Sequence, residues 1–190
     1  MTTDFGSLIV AEMPRLRRYA RALTKDVARA DDLLQDALAR AVHKQHLWKP
    51  GTDMRAWLFT ILHNAHVNQV RQAVREGVGL PVDGMAMVLT ARDRADSSIA
   101  IEELELALSL LPTEQREVLI LIGMEELSYE QAAEVLGVPV GTVRSRLSRG
   151  RDLLRLLLDG TCAREPGHTT ATLRSVAKKV AAAKRRAKYI

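Results

Sequence analysis

Residues 127–151 read LSYEQAAEVLGVPVGTVRSRLSRGR, and the order of small, turn-forming and basic residues in this stretch decides the fold. Ser128 followed by Gln131 has the capping-box form, which satisfies the first amides of a helix reciprocally, so a helix is predicted to begin at 128 and to stop at Gly137. A helix-turn-helix needs small residues where its helices cross, a turn residue tolerant of positive φ, and apolar residues that lock the second helix. Ala132 and Ala133, then Gly137, then Val138, Val143 and Leu147 supply these in order. At about 100° per residue, Val143, Leu147 and Leu154 share one face. Ser145, Ser148 and Arg149 then lie opposite, with Arg144 beside them. Arginine can pair in bidentate fashion with guanine and serine can serve several bases, which makes this face a candidate reader of a major groove. Thr142, Arg146, Arg151 and Arg155 suit phosphate contacts better. The plainer alternative is a solvated helix, but five arginines between 144 and 155 are opposed only by Asp152, in an otherwise acidic part of the chain.

The composition around this motif favours an all-α protein. Only 4% of the 190 residues are aromatic and 47% are hydrophobic, with Ala, Leu, Arg and Glu abundant. Such residues lose little side-chain freedom in a helix. The net charge of +5 is unevenly spread: +5 over residues 1–75, −2 over 76–98, −5 over 99–160 and +7 over 161–190. Such segregation suits a protein that meets nucleic acid with some surfaces and protein with others. No apolar run approaches the roughly 20 residues that span a bilayer, and the first ten residues carry Asp4 in place of a basic leader, so an intracellular, cytoplasmic protein without membrane insertion is expected. The one cysteine, Cys162, offers neither an internal disulfide nor a cysteine metal cluster.

From Pro14 to about Val74 apolar residues recur at helical spacing. Leu33, Leu34, Ala37, Leu38, Ala41 and Val42 mark one face, and Trp57, Leu58, Ile61, Leu62 and Ala65 another. Between them Pro50 and Gly51 break the pattern and Asp53 is placed to cap the next helix, giving a three- or four-helix domain with a loop at 47–53. Residues 76–98, with three glycines at 77, 79 and 84 and Pro81, read as a flexible linker. A second helical region starts near Ile99, pauses at Leu111-Pro112-Thr113, and ends near Leu158; the basic tail 159–190 is either a helix or an unstructured extension. The acidic residues Glu102, Glu103, Glu105, Glu125, Glu126, Glu130 and Glu134 are expected on a solvated surface, with a protein-docking face as the lesser alternative.

Residues 111–119 and 127–151 together closely resemble region four of extracytoplasmic-function sigma factors. Ala-Asp-Asp-Leu-Leu-Gln-Asp-Ala at 30–37 and Met-Arg-Ala-Trp-Leu-Phe-Thr-Ile-Leu-His-Asn at 54–64 resemble region two of the same family. The resemblance implies a region-two domain at 10–75, a linker at 76–98, a region-four domain at 99–158 and a basic extension at 159–190. It implies that Asp32, Leu34, Gln35, Asp36 and Arg40 dock on the β′ clamp helices of bacterial core RNA polymerase, and that the region-four domain sits on the β flap. It further implies that the loop at 48–53 holds a flipped base of the minus-ten element. Trp48, Lys49, Asn64, Asn68 and Arg71 would contact that element, while Arg144, Ser145, Ser148 and Arg149 would read the minus-thirty-five element. A flipped base needs hydrogen bonds to its edge and a stacking surface; Trp48 is open to stacking or to core packing, whereas Trp57 belongs to the core. An anti-sigma partner is expected from the family, and a stress or envelope response with it.

Two other classes remain to be weighed. An enzyme is suggested by His43 with His46 and His63 with His66, two i, i+3 pairs that can present imidazoles on one face to a metal. Neither pair has a carboxylate at helical spacing, so no catalytic residue, metal or cofactor is expected. A sigma-like adaptor or a plain helix-turn-helix regulator is the second class. An adaptor usually carries a receiver domain for which this chain has no room, and a plain regulator has no need of the segment at 30–37.

Overall fold

The computed structural model describes residues 5–77 and 99–159, and among these are seven α-helices and no strand. Helix α1 (Phe5–Thr24) buries Ile9, Leu16, Tyr19, Ala20 and Leu23, a stripe at helical spacing. The helix begins nine residues before Pro14 and passes through it, with Pro14 on the exposed side. Phe5, whose ring centroid lies 5.8 Å from that of Trp48 and 6.0 Å from that of Trp57, anchors these added turns. Lys25, at φ 57°, turns the chain into α2 (Val27–His43), where the Asp26 side chain accepts from the Arg29 amide at 2.8 Å. A single 3-10 turn (Gln45–Leu47) and the loop 48–53 lead into α3 (Met54–Arg75). Asp53 caps α3 as expected, accepting from the amides of Arg55 and Ala56 at 2.9 and 3.2 Å.

The second half comprises α4 (Ile99–Leu110), α5 (Thr113–Gly123), α6 (Tyr129–Leu136) and α7 (Val140–Asp159). The capping box at Ser128 and Gln131 is present in both directions, and Gly137 ends α6 at φ 63°, in the left-handed region that glycine adopts most cheaply. Ala132, Ala133, Val143 and Leu147 are buried where α6 and α7 meet. Further along α7 the buried residues are Leu153 and Leu157, which meet Ala107 and Leu111, while Leu154 is half-buried beside them. Helix α7 crosses α5 closely at Gly150, where a Cβ would stand 3.0 Å from the Leu119 side chain and 3.3 Å from the Gln115 carbonyl.

The two halves are packed together. One apolar core runs from Ile9, Tyr19 and Phe59 in the first half to Val118, Leu121, Leu127 and Val135 in the second, with α1 against α5 and α3 against α6. Tyr19 and Phe59 are wholly buried with ring centroids 5.1 Å apart, and burying each ring contributes about 1.5–3 kcal/mol. Polar contacts seal the seam. Arg116, 2% exposed, donates to the Ala22 carbonyl at 3.0 Å, and Gln131 Nε2 donates to Asp53 Oδ2.

Candidate nucleic-acid interface

The outer face of α7 is set by the residues it buries. With Val143, Leu147, Gly150, Leu153 and Leu157 inward, Arg144, Ser148, Arg151 and Arg155 fall within about 60° of one another on the outside. Arg144 is exposed and its guanidinium lies 5.6 Å from the centre of the Tyr129 ring, at the first residue of α6. This cation–π contact steadies an otherwise loose side chain, and Tyr129 was not singled out from the sequence. Ser145 is half-buried and donates to the Thr142 carbonyl at 3.0 Å, with Thr142 also half-buried. Arg149 is exposed at about 100° from Ser148, on the flank of the strip. Arg155 lies 3.7 Å from Asp152. Arg146 differs from the others: it points into the cleft between the halves and pairs with Glu114 at 3.1 Å. That placement sets it apart from Arg151 and Arg155, with which the sequence grouped it.

Helix α3 carries a strip of the same spacing. Asn64, Asn68, Arg71 and Arg75 are all exposed and fall within about 60°, following the i, i+4, i+7, i+11 pattern of Arg144, Ser148, Arg151 and Arg155 on α7. Arg75 was missed in the sequence, although the spacing from Asn64 would have found it. Lys49 is exposed in the loop before α3. Trp48 is half-buried on Phe5, and its indole Nε1 is buried without a hydrogen-bond acceptor among the described residues.

On α2, Asp32 and Gln35 are exposed, while Asp36 and Arg40 are half-buried and joined by a 2.9 Å ion pair. Leu34 does not belong with them. It lies about 160° around the helix from Asp36 and is 2% exposed in the core, so it has no surface to offer a partner.

Glu125 is the second departure from expectation. It was placed on a solvated surface, yet it is 0% exposed at the seam between the halves. Arg18 Nε and Nη2 donate to its two carboxylate oxygens at 3.1 and 3.2 Å, Arg15 approaches to 3.7 Å, and Arg55 donates to its backbone carbonyl at 3.2 Å. Burial pushes its carboxyl above the usual value while Arg18, Arg15 and Arg55 pull the other way.

A cleft of about 920 Å³ lies between the halves, walled by apolar residues such as Leu23, Val67, Val70, Leu136 and Val138. Ionisable groups at its floor are shifted by burial. His66 is lowered to about 4, first by desolvation and then by His63 and Arg116. His63, lowered by burial, shares a hydrogen bond of 3.2 Å with the Tyr19 hydroxyl. Glu117 is raised to about 7, with desolvation and Glu114 outweighing Arg116 and Arg146. Among the described residues no group of three or more His, Cys, Asp or Glu is placed to hold a metal ion, and no helix is long and apolar enough to cross a membrane. Cys162 and the basic tail lie outside the described residues, as does most of the linker.

Known proteins resemble this arrangement over nearly all of the described chain. Residues 9–63 match the Sigma2 domain of PhyR, and residues 101–154 match Sigma-70, region 4. The two matches, in this order, define the sigma class of transcription initiation factors. The chain is 41% identical to the ECF RNA polymerase sigma factor EcfG of Rhodopseudomonas palustris, over 83% of this chain and 87% of that protein. It is 31% identical to the ECF RNA polymerase sigma factor SigM of Mycobacterium tuberculosis, over 81% of this chain and 76% of that one. Among solved structures it is similar to the sigma factor RpoE, seen in complex with the anti-sigma factor NepR from Bartonella quintana, at a TM-score of 0.69 and 36% identity, covering 82% of this chain and 97% of the other. The chain therefore belongs to the ECF RNA polymerase sigma factor family.

Proposed function

We propose that this sigma factor docks on core RNA polymerase through Asp32, Gln35, Asp36 and Arg40 on α2, with the second half on the β flap, and reads a bipartite promoter with two helical strips. Asn64, Asn68 and Arg71 on α3, with Lys49 and Trp48 in the preceding loop, face the minus-ten element. Arg144, Ser145, Ser148 and Arg149 on α7 read the minus-thirty-five element, with Thr142, Arg151 and Arg155 on phosphates. The observation that carries this reading is the pair of equally spaced polar and basic strips, one on each half, exposed along their length except at the half-buried Ser148. The chain supplies no catalytic group or cofactor of its own; the chemistry belongs to the polymerase.

This reading requires the halves to part. Elements some 25 base pairs apart are separated by roughly 85 Å at about 3.4 Å per pair, whereas a 20-residue helix spans about 30 Å and the halves share one core. The packed form is then a cytoplasmic resting state. An anti-sigma partner, of the kind seen with RpoE, would act by holding it. Run-off transcription with purified core enzyme and a promoter library tests the proposal. A promoter-dependent transcript that requires the added chain is expected; no transcript, with inhibitor absent, would overturn it. A sigma-like adaptor is favoured only by the match of the first half to the PhyR domain, and such a protein would give no transcript while still binding the anti-sigma factor.

A further inference from the structure

The cluster around Glu125 joins charges that the promoter-reading strips do not use. Arg15 and Arg18 come from α1 and Arg55 from the first turn of α3, so three guanidinium groups on the first half converge on one residue of the second. Glu125 reaches them from the loop after α5, where Glu126 takes φ 58°. Among the described residues of the first half, Glu12 is the carboxylate that answers this charge, pairing with Arg55 at 3.1 Å and Arg15 at 3.9 Å. Arg18 pairs only with Glu125 among these contacts. When the halves part, three arginines face the single carboxylate of Glu12, and the forked donors of Arg18 lose the two oxygens they hold in the packed form. Forked guanidinium donors fit the oxygens of a carboxylate and of a phosphate alike.

We infer that Arg15, Arg18 and Arg55 form a site for a nucleic-acid backbone phosphate, and that Glu125 fills this site as long as the two halves are packed together. The inference rests on the promoter reading above, since it requires the open form to meet DNA. The site holds a phosphate without reading a base, and it lies on a different side of α3 from Asn64 and Asn68, nine and thirteen residues on from Arg55. It makes DNA and the closed form direct competitors: a phosphate that enters displaces the carboxylate that keeps the molecule shut.

The test uses the full chain, without polymerase, and a labelled 25-base-pair duplex of arbitrary sequence, with binding followed by anisotropy across a salt series. Each phosphate neutralised on duplex DNA steepens the log–log salt dependence by about 0.9. Glu125→Gln is expected to bind several-fold more tightly than the parent chain, and Arg18→Ala placed on that background to lose the gain and flatten the slope by about 0.9. The exchanged pair Arg18→Glu with Glu125→Arg keeps an ion pair across the seam, so it guards against a variant that merely unfolds. It should fold as the parent does and show a flatter slope. Equal slopes for the parent, Glu125→Gln and the exchanged pair, all binding DNA, would overturn this site and leave the promoter reading standing. Failure of every variant and of the parent to bind DNA at any salt would likewise overturn this site, whereas the promoter reading falls only if the run-off assay with core enzyme gives no transcript.

Discussion

The arginines of α7 carry one charge each and meet different surroundings, and their roles divide accordingly. Arg144 is steadied by Tyr129, Arg146 is held by Glu114 in the cleft, and Arg149, Arg151 and Arg155 stand exposed. Arg149→Ala is expected to cost about 1–3 kcal/mol of promoter binding and to relax preference at a single upstream position, as for a lost bidentate base contact. Arg151→Ala and Arg155→Ala should weaken all sequences alike and reduce the salt slope by about 0.9 each. Binding to a randomised upstream element, measured at several salt concentrations, separates the two outcomes. Unchanged selectivity in Arg149→Ala would remove that residue from the readers.

At the level of elements, the features that depend on near neighbours were legible in the sequence. Ser128 with Gln131, Gly137 and Asp53 each obey a rule spanning a few residues, and each was found in its expected role. Features that depend on which faces meet were less so. Leu34 was assigned outward because it lies in a motif with Asp32 and Asp36, although the helical period turns it toward the core. Glu125 was assigned to solvent because nothing local records that α1 would bring Arg15 and Arg18 to it. The inward turn of Arg146 likewise depends on Glu114, 32 residues earlier. The turn between α6 and α7 gives a direct check: Gly137→Ala places a Cβ at φ 63° and should cost about 1–2 kcal/mol. Urea denaturation with far-ultraviolet circular dichroism would show this as a lower midpoint with an unchanged slope.

For the molecule as a whole, the ionisable groups between the halves tie stability to pH. Glu117, raised from 4.5 to about 7, favours the folded state fully below about 4.5 and loses that contribution as pH rises through 7. His66, lowered from 6.5 to about 4, acts in the opposite sense: its contribution is present above 6.5 and lost as pH falls through 4, with His63 shifted in the same direction. Glu117 and His66 therefore nearly offset each other between pH 4.5 and 6.5, and above 6.5 the loss from Glu117 stands without that counterweight. Glu117→Gln should gain on the parent by up to about 1.4 kcal/mol per pH unit across the window between those two values for Glu117, and denaturation at several pH values checks it; a constant difference would contradict it. Opening is also cheap at one place where it might have been ruinous. The Asp53 carboxylate meets Gln131 with Oδ2 alone, while Oδ1 remains on the amides of Arg55 and Ala56, and Gln131 keeps its own bond to Ser128 at 2.8 Å. Undocking thus breaks one link without fraying either helix it joins, so each half can leave with its terminal turn intact and return to the same fit.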